Sequence, residues 1–444
     1  MRILMYVVIC AIMLAAYLTT AEVRLAPGFV KLLPDALSAL VAVYVVATGA
    51  RQQFRDVDPK YWLLFGALGL VFVCGPIVNQ EGPGPIVNGM RYYLRAVPFF
   101  FLPAVCSFED RDLRRYGALL LAFAFLQLPT SIDQRLTLAA EGRFTGDYVY
   151  GTLLISGVLS MFLISVLCVL GALTVRGRFP KKWFALCFVL LVIPMSINET
   201  KVTLVLLPLG LLITFVLASK PGRRLRTVFS VLGLLAIAGV ILVPLYNYYN
   251  TLNNPYPLTI ADFFDSDILK NYFLMEGRVG SGDQAGRGDS IILPFKQFSD
   301  DPVRLVFGLG MGNASQSSLG SQFSGYYQSL YWPYVQTTSV SAFLFEVGLL
   351  GTLLILTLHF VLLRDAIAVM KNDRGLLADL APGYVAAWTV ITTGLFYLAI
   401  HTVESLSFIF FFLSGLLATR QAQMKRDAMP RGRLKSPASR ATPS

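Results

Sequence analysis

Apolar residues come in blocks along this chain, several of them 17 residues or longer without a charge. At about 1.5 Å of rise per residue, a helical block of that length crosses roughly 30 Å of hydrocarbon. The blocks predict twelve helices, near 3–20, 33–49, 61–78, 92–106, 116–131, 150–172, 183–198, 202–219, 228–246, 338–363, 381–400 and 404–419. Inside lipid each backbone polar group must be paired within its own segment, so the blocks are helices rather than open strands. The expected fold is an all-α polytopic membrane protein with about twelve transmembrane helices and one large extracytoplasmic loop. The fourth helix is short and holds Arg95, which suits a re-entrant segment. The first resembles a signal peptide in length, but it lacks a convincing cleavage site and more membrane helix follows.

The intervening polar segments set the topology. With the N-terminus in the cytoplasm, the inside segments hold 25 of the 37 Lys and Arg residues, and every short inside loop carries at least three. This matches the positive-inside rule and places both termini inside. It also explains the net charge of +11 without nucleic acid as a partner. The expected organisation is helices one to nine over 1–246, an outside loop over 247–337, helices ten to twelve over 338–419, and a basic cytoplasmic tail over 420–444. The tail is rich in Pro, Ser and Arg and reads as disordered, suited to lying on anionic headgroups. Within the loop, 261–273 and 289–298 have helical apolar spacing and are expected at the membrane surface.

Charged residues make up 14% of the chain, well under the quarter usual for a soluble protein. The five cysteines fall in or beside apolar runs with no CxxC pair, and His359 and His401 form no HExxH. A disulfide framework, a thiolate metal site and a zinc-protease site are therefore not expected.

The polar chemistry gathers on the outside, chiefly in Glu276–Gly351. This stretch carries Arg278, Arg287, Lys296 and Arg304, with one glycine cluster over 277–288 and a second at Gly308, Gly310 and Gly312. Such spacing lets backbone turn tightly or approach a ligand closely. GLGMGN (308–313) lacks the six-residue spacing and the βαβ setting of a dinucleotide fingerprint. Outside the loop, Arg24, Lys31, Arg91, Arg95, Arg135, Arg143 and Lys201 face the same side. Arg91 and Arg95 lie four apart, on one face of a helix. Several cations near a lipid surface suit a diphosphate headgroup, Arg as a bidentate donor and Lys as a point charge. Candidate bases and ion-pair partners are Glu141, Asp147, Glu199, Glu276, Asp283, Asp289, Asp300, Asp301, Glu346 and Glu404. The aromatic run GYYQSLYWPY (325–334) suits either sugar stacking or an interfacial belt.

Four stretches in order resemble the O-antigen polymerase and O-antigen ligase superfamily of integral-membrane glycosyltransferases. GRFTGDYVYGTLL (142–154) is similar to an R-x-TG segment opening a helix. NETKVTLVLLPLGL (198–211) is similar to a T-x-SRG-type helix start, with Lys201 where Arg is usual. GRGDSIILPFKQFSDDPVRLVFGLGMGN (286–313) is similar to an Arg-helix-P-x-x-G-x-G-x-G segment, and FLFEVGLLGTLLIL (343–356) to an E-x-G-x-x-G helix. The family's ligases keep an HN pair about nine residues before that glutamate. Here the position falls at Gln336 or Thr337, which turns the resemblance towards the polymerases.

The resemblance implies metal-independent glycosyl transfer, without a cofactor, on the extracytoplasmic face of a bacterial inner membrane. The donor would be a growing glycan on a polyprenyl diphosphate, and the acceptor another lipid-linked oligosaccharide repeat unit. Diphosphate is a good leaving group, so fixed cations matter more than a general acid. The implied catalytic residues are Arg287, Asp289 and Glu199. The diphosphate ligands would be Arg143, Lys201, Arg278, Arg91 and Arg95. Further partners would be a chain-length regulator or export proteins. The competing readings are a ligase-type transferase, a polysaccharide or lipid flippase, and a scaffold for an export complex. Against a transporter, most of the helices are free of charge in their centres.

Overall fold

The computed structural model describes residues 1–20, 23–52, 54–142, 148–198, 200–251, 259 and 286–428. The surface helix expected over 261–273 and the end of the tail, 429–444, lie outside them. The described residues are helical with no strand. The elements are α1 (Arg2–Leu18), α2 (Leu33–Gln52), α3 (Pro59–Val78), α4 (Pro83–Leu94), α5 (Val97–Val105), α6 (Asp110–Ala140), α7 (Ser156–Val175), α8 (Lys181–Ile197), α9 (Thr203–Ala218), α10 (Arg224–Thr251), α11 (Arg287–Gln297), α12 (Pro302–Phe307), α13 (Gln328–Val335), α14 (Ser339–Glu346), α15 (Gly348–Asn372), α16 (Leu376–Gly394) and α17 (Glu404–Ala428). Among the described residues, eight helices are long and apolar enough to cross a membrane. α1 and α9 are equally apolar but run for only 17 and 16 residues.

The centre of the bundle is α7, which is mostly buried and packed against α9 and α16. Gly171, Gly210 and Gly383 lie at these contacts, where small residues let helix backbones approach without a hydrophobic drive from water. At the other extreme, α10 is almost entirely unburied and stands at the rim. One end of the bundle, the loop end, carries α11 to α14. The opposite, basic end is laced by ion pairs: Arg2 to Glu109 at 2.9 Å, Arg178 to Asp379 at 2.9 Å, Arg420 to Asp373 at 2.8 Å and Arg426 to Asp56 at 2.6 Å. Buried Asp365 on α15 receives Lys60 Nζ at 2.5 Å and the Tyr61 hydroxyl at 2.7 Å, which ties α15 to α3.

Three expected helices are interrupted, each for a local reason. The helix expected over 92–106 is split between α4 and α5 around Arg95 and Ala96. Pro98 starts α5, and the Arg95 side chain turns away to carboxylates on other helices. The helix expected over 338–363 breaks between α14 and α15, where Gly348 takes φ +67°, a left-handed conformation that other residues adopt at a cost. The helix expected over 381–400 ends at Gly394, and 395–403 form an irregular turn with a short 3-10 piece, Ile400–Thr402. The expected surface helix over 289–298 is present as α11, and α17 continues nine residues past the expected end.

Candidate functional site

The second glycine cluster forms the floor of the loop end. Leu309 N donates to Phe345 O at 2.8 Å and Gly310 N to Glu346 O at 3.0 Å, so GLGMGN runs beside the end of α14. Gly310 has φ +100°, and a Cβ there would run into the Glu81 carboxylate. Asn79, closing α3, donates to Gly308 O at 3.0 Å and accepts from Arg304 Nε at 3.1 Å. The glycines therefore serve close packing of this loop between α3, α4 and α14.

Glu346 is fully buried in this junction. Its Oε2 accepts from the Tyr93 hydroxyl at 2.8 Å and its Oε1 from Ala314 N at 3.2 Å, with Gly312 N and Ser315 as further donors. Burial pushes its carboxyl above the usual range, and these donors pull it back. Glu81, in the α3–α4 turn, has the opposite surroundings. Both of its carboxylate oxygens are enclosed and lack a hydrogen-bond partner among the described residues. Burial, then repulsion from Glu346, pushes its carboxyl up to about 9. Of these two acids, Glu81 holds a proton first. Sequence inspection passes over Glu81, because an acid between Gln80 and Gly82 looks like an ordinary loop residue.

The 395–403 turn is the hub of the loop end. Arg287, opening α11, donates from Nε to Tyr397 O at 3.0 Å and stacks its guanidinium 4.2 Å from the Tyr397 ring centre. Ser339, opening α14, bonds Leu398 O through both its amide and its hydroxyl. Arg95 donates to Thr402 O and pairs with Glu404 at 2.5 Å and Asp35 at 3.4 Å. Arg91 pairs with Asp35 at 2.6 Å and reaches the Ser318 hydroxyl at 2.6 Å. Arg91 and Arg95 are thus together, as the four-residue spacing predicts, and already hold two carboxylates. Leu398 also lies beside Gly157 on α7, next to Thr200.

The NETK helix start is fixed by Asn198, which donates to Ser156 O and Ser160 Oγ, each at 2.9 Å. Lys201 stands half-buried beside it, in front of α9. Asp289 is half-buried on the first turn of α11. Arg143, Glu199 and Arg278 lie outside the described residues. Just after Arg143, Gly151 and Thr152 are held by Gln134 and Gln127 of α6, at 2.8 Å each. Of the aromatic run, Tyr331 alone is buried, stacked on Phe345 at 4.8 Å; Tyr327, Trp332 and Tyr334 are half-buried and Tyr326 stands 82% exposed.

No family model matches this chain, and no curated protein matches it in sequence.

Beneath the turn lies an apolar cavity of about 630 Å³ between α3, α4, α15, α16 and α17. It runs from Tyr92, Met311 and His401 at the loop end to His359 and Trp388 deeper in the bundle. Val73, Ile77 and Met90 belong to its wall and are also exposed, so it opens sideways on the flank of the bundle. His401 Nδ1 lies 3.1 Å from Ser339 Oγ, and its enclosed Nε2 has no partner among the described residues. Burial, helped by Arg95, pushes its imidazole down to about 3, so it is neutral at physiological pH. Among the described residues, no three His, Cys, Asp or Glu side chains converge as metal ligands do.

Proposed function

We propose that this chain is an integral-membrane glycosyltransferase that polymerises polyprenyl-diphosphate-linked oligosaccharide repeat units. It would work at the loop end, on the extracytoplasmic face of a bacterial inner membrane, with twelve spans and both termini cytoplasmic. The single observation that carries the reading is the flank-open apolar cavity ending beneath the 395–403 turn. An isoprenoid chain is apolar throughout and would enter such a space from the bilayer, burying surface at roughly 25 cal/mol per Å². Its diphosphate would then emerge beside the turn that Arg95 and Arg287 hold from two sides.

The chemistry divides among the residues there. Arg287 offers a planar guanidinium for diphosphate oxygens, with Arg143, Lys201 and Arg278 as further cations. Charge develops on the departing diphosphate as the anomeric bond breaks, and fixed cations stabilise it. The acceptor hydroxyl gives its proton to a carboxylate, for which Asp289 and Glu199 are the candidates, two residues from Arg287 and Lys201 respectively. A base of this kind contributes roughly 10²–10⁴-fold.

A second reading, a single transfer as in the ligases, is favoured by His401. It reaches Ser339, two to three residues past the position where the ligases keep histidine. Purified chain in proteoliposomes, given lipid-linked repeat units, separates the two. Polymerisation gives a ladder of multiples of the unit, whereas a ligase gives no ladder without a separate acceptor. Unchanged substrate under every condition would remove both readings and favour a flippase.

A further inference from the structure

A second cavity, of about 350 Å³, lies across α17 from the first, which shares Leu406 and Phe410 with it, and towards the basic end; it is walled by α1, α6, α7, α16 and α17. Its lining is apolar, and the polar groups in it are already satisfied. The Ser165 hydroxyl donates to Met161 O at 2.7 Å, the Tyr384 hydroxyl meets Ser414 Oγ at 2.6 Å, and the Tyr116 hydroxyl donates to Arg2 O at 2.8 Å. The first cavity keeps a bare imidazole nitrogen for a polar group; this one offers nothing but hydrocarbon contact.

Its mouth is different. Arg114 lines the cavity from the start of α6, and Arg111, Arg114, Ala118 and Leu121 follow at helical spacing along one face. Arg115 is the next residue round. All three arginines are exposed, and among the described residues none has a carboxylate within ion-pair reach. Of the carboxylates beside them, Glu109 and Asp112 are taken by Arg2 at 2.9 and 3.3 Å, and exposed Asp110, among the described residues, pairs with none of the three. Between the arginines and the cavity stand Gly117 and Ala118, both exposed. A Cβ built on Gly117 meets no atom within 4 Å, so the portal is open. An unpaired basic turn over an apolar cavity, joined by a gap of small residues, has the shape of an amphiphile with an anionic head.

We propose that this cavity holds one acyl chain of an anionic glycerophospholipid, with its phosphate on the Arg111–Arg115 turn. Basic pockets between membrane helices on the cytoplasmic side select anionic headgroups in this way. The basic end is the one that the positive-inside count assigns to the cytoplasm. The site is separate from the cavity under the 395–403 turn and does not depend on the glycosyltransferase reading. A lipid there bridges the first helix to the central α7 and to α16 and α17, so it also acts as a structural ligand.

The test is a titration of the purified full-length chain in detergent with phosphatidylglycerol, with phosphatidylcholine of identical chains as control. Native mass spectrometry counts the bound lipids, and thermal unfolding gives the affinity. Phosphatidylglycerol is expected to saturate at one tight site and raise the midpoint, with phosphatidylcholine much weaker. Combined Arg111→Gln, Arg114→Gln and Arg115→Gln should weaken phosphatidylglycerol on the order of 100-fold. Gly117→Phe, which fills the portal, should weaken it by a comparable factor while leaving all the charges. The two variants act on different halves of the site, so either one that folds decides the matter. Equal binding of the two lipids by the wild type, or unchanged phosphatidylglycerol affinity in either folded variant, would overturn the proposal. Displacement of the lipid by millimolar inorganic phosphate alone would also overturn it, since the site would then be for an anion without a chain.

Discussion

The Tyr93 hydroxyl donates to Glu346 Oε2 across 2.8 Å, joining residues 253 positions apart in the chain. The bond fastens α4 to the end of α14, and through Glu346 both hold the glycine loop. Removing a buried carboxylate that several donors share leaves those donors without partners, which costs several kcal/mol. Glu346→Ala is therefore expected to lower stability by roughly 3–5 kcal/mol, and Glu346→Gln by roughly 1–2, since an amide keeps one acceptor and the Tyr93 hydroxyl can turn to accept. Thermal unfolding of the purified variants measures both.

Glu81 makes stability depend on pH. Its carboxyl rises from 4.5 in the unfolded chain to about 9 in the fold, so the folded state binds more protons between those values. Stability must then fall as pH rises through that window. His401 contributes the opposite slope, but only between about 3 and 6.5, below which it must charge. The window from pH 6.5 to about 8, above His401 and below the ordinary thiol range, therefore isolates the carboxyls. The unfolding midpoint should drop across it in the wild type, and Glu81→Gln should flatten much of the drop; an unaltered slope would count against a protonated Glu81.

Arg287 uses both its fork and its flat face, donating to Tyr397 O and stacking on the Tyr397 ring. Lysine keeps the charge and loses both features. Arg287→Lys should thus reduce chain growth nearly as far as Arg287→Ala, roughly 10²-fold, at unchanged membrane protein level. Lys296→Ala, at an exposed position on the same helix, should grow chains normally.

The cavity under the turn can be filled without disturbing its walls. Gly69 lines it and has nothing within 4 Å of a built Cβ. Gly69→Phe should slow chain growth about tenfold or more, equivalent to about 1.4 kcal/mol. Gly66→Phe, one turn away and outside the lining, is the matched control, and equal effects from the two would dissociate the cavity from activity.

Sidedness is open to direct measurement. On a cysteine-free background, Tyr326→Cys should be labelled from outside and Asn372→Cys only after permeabilisation. The reverse pattern would invert the topology and move the loop end to the cytoplasm.

The helical class was legible because lipid imposes it: uncharged blocks have few alternatives to helix. The basic loops told which ends belong together, and the basic end is where the ion pairs from Arg2 to Arg426 occur. The loop end was less legible, because its breaks are set by partners far away in sequence. Arg95 leaves its helix for Glu404, and Gly348 turns where Gly308 packs against it. Residues 395–403 look like the end of one apolar helix and the start of the next. Their carbonyls nevertheless organise Arg95, Arg287 and Ser339. Glu81 left no pattern at all, since its protonation follows from enclosure rather than from neighbours in the chain.

The double attachment of α3 has a mechanical consequence. Lys60 and Tyr61 hold it to Asp365 at one end, and Asn79 holds it to the carbonyl of Gly308 at the other. Tilting α3 against α15 would separate a buried ion pair, a cost of several kcal/mol. These two helices form adjoining walls of the larger cavity, so that cavity is a slot of fixed width along this side. A long flexible tail can thread into such a slot endwise from the bilayer, whereas a bulky headgroup has to stay at the rim. Under the proposed function, tail and headgroup would thereby be parted by the same pair of helices before any chemistry begins.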